Sequence, residues 1–263
     1  TRRICAVILQ NLSASKGCRV DMTSRNSVNV AYSLSADPDP IIQRAISLTL
    51  SRLAQETVNI SRIIYENGVI ALCNIGSKYP NIPGVSEPVA MAFQLLSRRA
   101  EARQSFILDG CSVTALATLL RLSTDLMTLQ HTLLALSNLL IEIESHVSVI
   151  QSGLLLTILN LCEHENDTIR ELCSLALLNF SCTEESRKHL INGGTIVAIK
   201  SLALRDNVVT RRRCAATLCK LSYFVTGRAR MVSDGIIPTL VDLVLSPDAE
   251  TVHHACSAMC RLC

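Results

Sequence analysis

The chain has 263 residues, a formal net charge of +3 and 49% apolar residues, yet only 3% aromatic residues and no Trp. So small a charge does not by itself imply nucleic-acid binding, and so few rings leave little on which to stack bases. No apolar run approaches the roughly 18 to 20 residues that span a bilayer, no signal peptide is visible, and strand signals are poor.

A repeat organises everything else. Its marker is the residue before the last hydrophobic pair of a long helical pattern: Asn11 in LQNLS, Arg52 in LSRLA, Arg98 in LSRRA, Asn138 in LSNLL, Asn179 in LLNFS, Lys220 in LCKLS and Arg261 in MCRLC. The steps between markers are 41, 46, 40, 41, 41 and 41 residues. Gly68, Gly110, Gly153, Gly193 and Gly235 form a second series, each opening an apolar run, and counting back from Gly68 reaches Asn26. Asn is the non-glycine residue that best tolerates a left-handed backbone. A sustained period makes the chain one stack of units in which each touches its neighbours.

In chain order, 1–15 is a lone long helix, the tail of an incomplete repeat. The unit 16–56 holds two short helices, a turn at ADPDP and a long helix from Pro40, with Pro at its permissive first turn. The unit 57–102 contains the irregular step, predicted as an inserted loop over 76–88. Units 103–144, 145–185 and 186–225 are regular: a polar first helix, a Gly break, an apolar second helix and the long third helix. Asn192 before Gly193 fits the same break. The last unit, 226–263, stops after its marker, and the chain reads as a segment of a longer protein. In the third helices Leu9, Leu50, Leu96, Leu136, Leu177, Leu218 and Met259 lie two before the marker, on one buried stripe.

Twelve cysteines at recurring helical positions predict reduced, structural thiols and an intracellular, cytoplasmic chain rather than a disulfide framework. Cys5, Cys173 and Cys214 share the position six before the marker, expected to be a small buried contact. Cys256, Cys260 and Cys263 have a spacing seen at iron–sulfur sites, but they share one helix face, which predicts core packing. The sequons at Asn11, Asn59, Asn166 and Asn179 read as coincidence. The run Arg211-Arg212-Arg213 reads as a solvated face.

Three helices in about 41 residues, GIIPTLVDL at a second helix, and LLALSNLL and LALLNF at the ends of third helices resemble the armadillo repeat family over the whole chain. The resemblance implies an all-α, right-handed α-α superhelix whose third helices line a concave groove. There the marker Asn grips the backbone of an extended peptide, since an amide offers both a donor and an acceptor. Asn11, Asn138 and Asn179 match that motif, while Arg52, Arg98, Lys220 and Arg261 depart from it. The ladders eight and four before each marker run Arg3/Val7/Asn11, Arg44/Leu48/Arg52, Ala90/Gln94/Arg98, Gln130/Leu134/Asn138, Glu171/Leu175/Asn179, Arg212/Ala216/Lys220 and His253/Ser257/Arg261. Only Glu171 is acidic in this reading, and no Trp stands four before the marker, so the groove is expected to be β-catenin-like rather than importin-α-like.

The expected partner-binding residues are therefore Asn11, Arg44, Arg52, Arg98, Asn138, Asn179, Arg212, Lys220 and Arg261, and the expected partner is an extended protein segment bearing carboxylates or phosphates. No phosphate-cradling loop, nucleophile elbow or zinc-protease motif occurs. The expectation is a non-catalytic scaffold with no cofactor, metal, small-molecule substrate, nucleic-acid partner or membrane insertion. It would serve as an architectural subunit of a cytoskeletal or ciliary assembly, with a soluble adaptor or nuclear transport receptor as the second reading.

Overall fold

The structure, a computed structural model, describes residues 1–262. Among them are nineteen α-helices, two short 3-10 turns and no strand, and no single helix is long and apolar enough to cross a membrane. The chain divides into two compact units, Thr1–Glu142 and Ile143–Cys263. The first holds α1 (Arg2–Ala14), α2 (Lys16–Ser24), α3 (Ser27–Ser35), α4 (Pro40–Ala54), α5 (Ile60–Tyr65), α6 (Gly68–Lys78), α7 (Ser86–Ser97), α8 (Ala100–Asp109), α9 (Ser112–Leu122) and α10 (Leu126–Leu139). The second holds α11 (Ser145–Gln151), α12 (Leu154–Leu161), α13 (Asp167–Phe180), α14 (Glu184–Asn192), α15 (Thr195–Ala203), α16 (Val208–Leu221), α17 (Arg228–Ser233), α18 (Ile237–Val244) and α19 (Ala249–Leu262).

In each unit like stacks on like. The long helices α1, α4, α7 and α10 pack in succession in the first, as do the second helices α3, α6 and α9. In the second, α13, α16 and α19 do the same, and α15 packs on α18. The stripe two before the marker forms the core inside the array: Leu50, Leu136 and Leu218 are fully enclosed and Leu177 nearly so, whereas Leu9 on α1 and Met259 on α19 are only half-buried, contrary to the expectation of one buried stripe. Most long helices start on a side-chain cap. Asp39, Asp125, Asn166, Asn207 and Asp248 each accept from a backbone N–H in the first turn, satisfying donors the helix cannot pair itself.

The irregular repeat differs from the expectation in register. Helix α6 extends to Lys78 and α7 starts at Ser86, so the inserted loop spans 79–85 rather than 76–88. Helix α7 ends at Ser97, which puts Arg98 past the last turn. Three geometries place Leu95, not Arg98, in the marker column. A buried Ser two after the marker donates to the carbonyl one before it at Ser13→Gln10, Ser97→Gln94, Ser181→Leu178 and Ser222→Cys219. An Arg eight after the marker donates to that Ser carbonyl at Arg19→Ser13, Arg103→Ser97, Arg187→Ser181 and Arg228→Ser222. Burial agrees, because Ala90 is wholly enclosed and so cannot belong to an outward row.

Other expectations fall the same way. The left-handed residue between first and second helices is Asn26, Asn67, Gly110, Gly153, Gly194 and Gly235, so Gly68, Gly193 and Asn192 do not fill that role. Gly68 is instead a close approach: a Cβ there would lie 2.7 Å from Ile63 Cγ2 and 2.9 Å from Val28 Cγ1. Cys173 and Cys214 are buried, but Cys5 is exposed, because the face of α1 that carries it has nothing packed over it among the described residues. Cys256 and Cys260 are exposed beside the buried Thr251, Ala255 and Ala258 stripe of α19, and Cys263 lies outside the described residues. Asn59 is buried and donates to the Leu53 carbonyl, which is incompatible with a glycan.

The two glycine types separate by experiment. Gly110, at φ 65° with nothing near its Cβ position, should tolerate Asn, while Gly110→Ala costs about 1 kcal/mol. Gly68→Ala should cost about 1–3 kcal/mol through overpacking, and Gly68→Asn should give no relief. Chemical denaturation of the four variants measures both.

Candidate functional site

With Leu95 as marker, the outward row of the first unit reads Arg3/Val7/Asn11 on α1, Arg44/Leu48/Arg52 on α4, Glu87/Met91/Leu95 on α7 and Gln130/Leu134/Asn138 on α10. The second unit carries Glu171/Leu175/Asn179 on α13, Arg212/Ala216/Lys220 on α16 and His253/Ser257/Arg261 on α19. Glu87 thus joins Glu171 as a second acid, and Gln94 gives way to Met91. Gln94 instead pairs with His131, whose Nδ1 lies 2.5 Å from Gln94 Oε1. Burial of that imidazole holds its pKa below the usual histidine range.

Several cations of the row are tied to the preceding long helix. Arg52 donates to the Gln10 carbonyl at 2.8 Å, and Lys220 reaches the Leu178 carbonyl and Cys182 Sγ, each at 3.3 Å. Leu178 lies in the last turn of α13 and Gln10 just before the last turn of α1, so both cations sit towards the C-terminal end of a helix, where the macrodipole favours them. Arg261 donates to Tyr223 Oη at 2.7 Å, with its guanidinium 3.9 Å from the Tyr223 ring centre. Asn138 spans the same gap with an amide, donating to Ser97 Oγ at 3.0 Å. A carbonyl or hydroxyl partner anchors these groups but leaves their charge in place.

The position eight before the marker behaves differently. Arg3 pairs with Asp39, and Arg212 forms a two-pronged pair with Asp248 at 2.9 and 2.6 Å and reaches Glu250 at 3.2 Å. In both cases the carboxylate is the N-cap of the next long helix. Arg44 is the exception, because the equivalent cap position before α7 is Ile82, inside the 79–85 loop. The Arg44 guanidinium makes no hydrogen bond or ion pair among the described residues, although the Arg44 carbonyl accepts from Ser47 Oγ at 3.0 Å. Its guanidinium lies over Gly84, where a Cβ would come within 3.2 Å of Nε. It borders an open hollow of about 380 Å³ between α4 and α7, with Leu48, Arg52, Glu87 and Met91 also on its wall. The loop's Asn81 accepts from the Thr124 backbone N–H at 3.2 Å, which holds the loop along the start of α10.

Arg211, Arg212 and Arg213 are all engaged, with the Asp242 carbonyl, Asp248 and Glu171 respectively. The Asp and Asn caps were missed in the sequence reading although the signal was present: a small polar residue thirteen before the marker in five of the seven copies.

Residues 227–263 match the family model described as Armadillo/beta-catenin-like repeat. Solved structures similar to this chain include the designed armadillo repeat protein YIII(Dq)4CqI, with TM-score 0.76, 17% identity and coverage of 90% of this chain and 100% of that one. A computationally designed armadillo repeat protein for modular peptide recognition aligns with TM-score 0.79 at 16% identity, over 89% of this chain and 99% of its own. A third, the designed armadillo repeat protein YIII(Dq.V1)4CPAF in complex with peptide (KR)4, aligns with TM-score 0.74 at 16% identity, over 90% and 99%. The fold is that of an armadillo repeat solenoid. No curated protein matches the chain in sequence.

The Arg212 pair sets a pH dependence. The Arg212 guanidinium beside Asp248 holds that carboxyl well below the usual carboxylate range. A lowered folded-state pKa stabilises the native chain above about pH 4, and that contribution fades as pH falls through the lowered value. Asp248→Asn should flatten the acid limb of stability against pH, measured by denaturant titration at successive pH values, and leave the neutral-to-alkaline limb parallel to wild type.

Proposed function

We propose that this protein is a non-catalytic scaffold that binds extended protein segments along the outward rows of long helices that each of its two units carries, and that the bound segments carry carboxylates or phosphates. The observation that carries the reading is Arg44, an exposed guanidinium with no internal partner at the edge of an open hollow, with Arg52 beside it. Arg52, Lys220 and Arg261 keep their charge because their partners are neutral. Half-buried Leu48, Met91 and Leu134 supply the apolar floor, and Asn11, Asn138 and Asn179 are the amides suited to a peptide backbone. One structural neighbour holds a peptide of alternating Lys and Arg. A row already rich in Arg and Lys would repel such a ligand, so the opposite charge and a β-catenin-like groove fit this chain better.

As part of the same reading, the protein acts as an architectural subunit of a larger cytoskeletal or ciliary assembly. Copurification of the full-length protein in fixed stoichiometry supports that; free exchange among several peptides supports a soluble adaptor instead.

Anisotropy titration with a labelled Glu-rich peptide, and a Lys-rich one as control, tests the charge preference. The acidic peptide should bind more tightly and weaken as salt is added. Arg44→Glu should lower its affinity about tenfold or more, since hydrogen bonds to a charged group are worth roughly 1.5–3 kcal/mol. Arg98→Glu should change little, because Arg98 lies beyond the end of α7. Undiminished binding by Arg44→Glu would sink the reading.

A further inference from the structure

Away from the outward row, where second helices stack, Cys73 of α6 meets the start of α9. The Sγ atoms of Cys73 and Cys111 and a carboxylate oxygen of Asp109 lie within 4.8 Å of one another. Cys73 is buried, whereas Cys111 and Asp109 are partly open to solvent. We propose that Cys73, Cys111 and Asp109 form a zinc site that takes one Zn²⁺ with three protein ligands and a water from the solvent side.

The ligand chemistry and the spacing agree. Thiolate and carboxylate are established zinc ligands at about 2.3 and 2.0–2.2 Å, and tetrahedral bonds of that length set ligand atoms roughly 3.5 Å apart, inside the separation found here. The carboxylate is oriented before any ion arrives. Asp109 Oδ1 accepts from the Cys111 and Ser112 backbone N–H groups, each at 2.9 Å, and Oδ2 accepts from Ser112 Oγ at 2.7 Å. Ser112 Oγ also lies 3.6 Å from Cys73 Sγ, so one hydroxyl braces two of the three ligands.

Metal binding is coupled to proton release: Cys73 and Cys111 bind as thiolates, so each sulfur that carries a proton gives it up to solvent as its S–H bond is replaced by a bond to the metal. The other thiol cluster, Cys162, Cys173 and Cys214, is closed to solvent and has no carboxylate among its perturbing neighbours, which leaves it as core packing.

Titration of the reduced, metal-free full chain with Co²⁺ is the test. The expected result is one equivalent bound, with the thiolate-to-cobalt charge-transfer band and visible d–d bands of a four-coordinate site, bleached by stoichiometric Zn²⁺. Those bands should survive simultaneous Cys182→Ser, Cys256→Ser and Cys260→Ser substitution and vanish in Cys111→Ser. Asp109→Asn, which keeps the acceptor for α9 but removes the charge, should weaken Co²⁺ binding about tenfold or more. Circular dichroism checks that each variant is folded; because Cys111 is only half-buried, its variant tests the site even if Cys73→Ser unfolds. Absence of a thiolate–cobalt band, or an unchanged band in folded Cys111→Ser, would overturn the proposal.

Discussion

The C-terminal turn of each long helix leaves carbonyl groups that the helix cannot pair, and four of these turns are closed by a Ser at the helix end together with an Arg from the helix that follows. A buried Ser folds back on the marker's neighbour, and an Arg from the following first helix donates to the Ser carbonyl. That Arg is braced from one repeat further on: Arg19 pairs with Glu56, and Arg103 with Glu142. Such pairs are only partly exposed, so they are screened less than surface ion pairs. The consequence is that a single repeat cannot satisfy its own backbone. Its helix ends are completed by the next unit, which is the polar counterpart of the apolar stacking that makes repeat arrays cooperative.

The same geometry explains how the outward row is charged. A cation at the marker position reaches the C-terminal end of the preceding helix at Arg52 and Lys220, and a cation eight before the marker meets the N-cap carboxylate of the next helix at Arg3 and Arg212. Both positions therefore have structural work to perform. Where the 79–85 loop replaces the usual cap, the work at Arg44 lapses and its guanidinium is left facing an open hollow. An inserted loop of this kind changes the charge of the outward row by removing the carboxylate that would have neutralised Arg44 and placing Gly84 beneath its guanidinium instead.

The repeat, the all-helical class and the apolar stripe were legible because a 3.6-residue period and a recurring marker survive in the linear chain. Register at α7 was not. LSRRA presents Leu-Ser in front of a cation, as LSRLA does, and one-dimensional matching cannot tell Arg98 from Leu95 three positions earlier. The slip hid Glu87 and wrongly made Gln94 part of the row. The glycine series erred for a related reason: Asn67-Gly68 and Gly193-Gly194 each offer two residues able to take a left-handed turn, and only packing decides. Ile63 and Val28 press on Gly68 and exclude any Cβ, so Asn67 takes the positive φ.

What the chain determined by itself was its periodic content: how many helices, of which kind, with which face buried, since these follow from local spacing and propensity. What only tertiary structure decided was the state of each charged or sulfur-bearing side chain. Whether Arg212 is neutralised, Arg44 left unpaired, or Cys73 brought beside Cys111 depends on atoms about 40 residues away in sequence. Charges and thiols act through distance in space, and no pattern within one repeat encodes that distance.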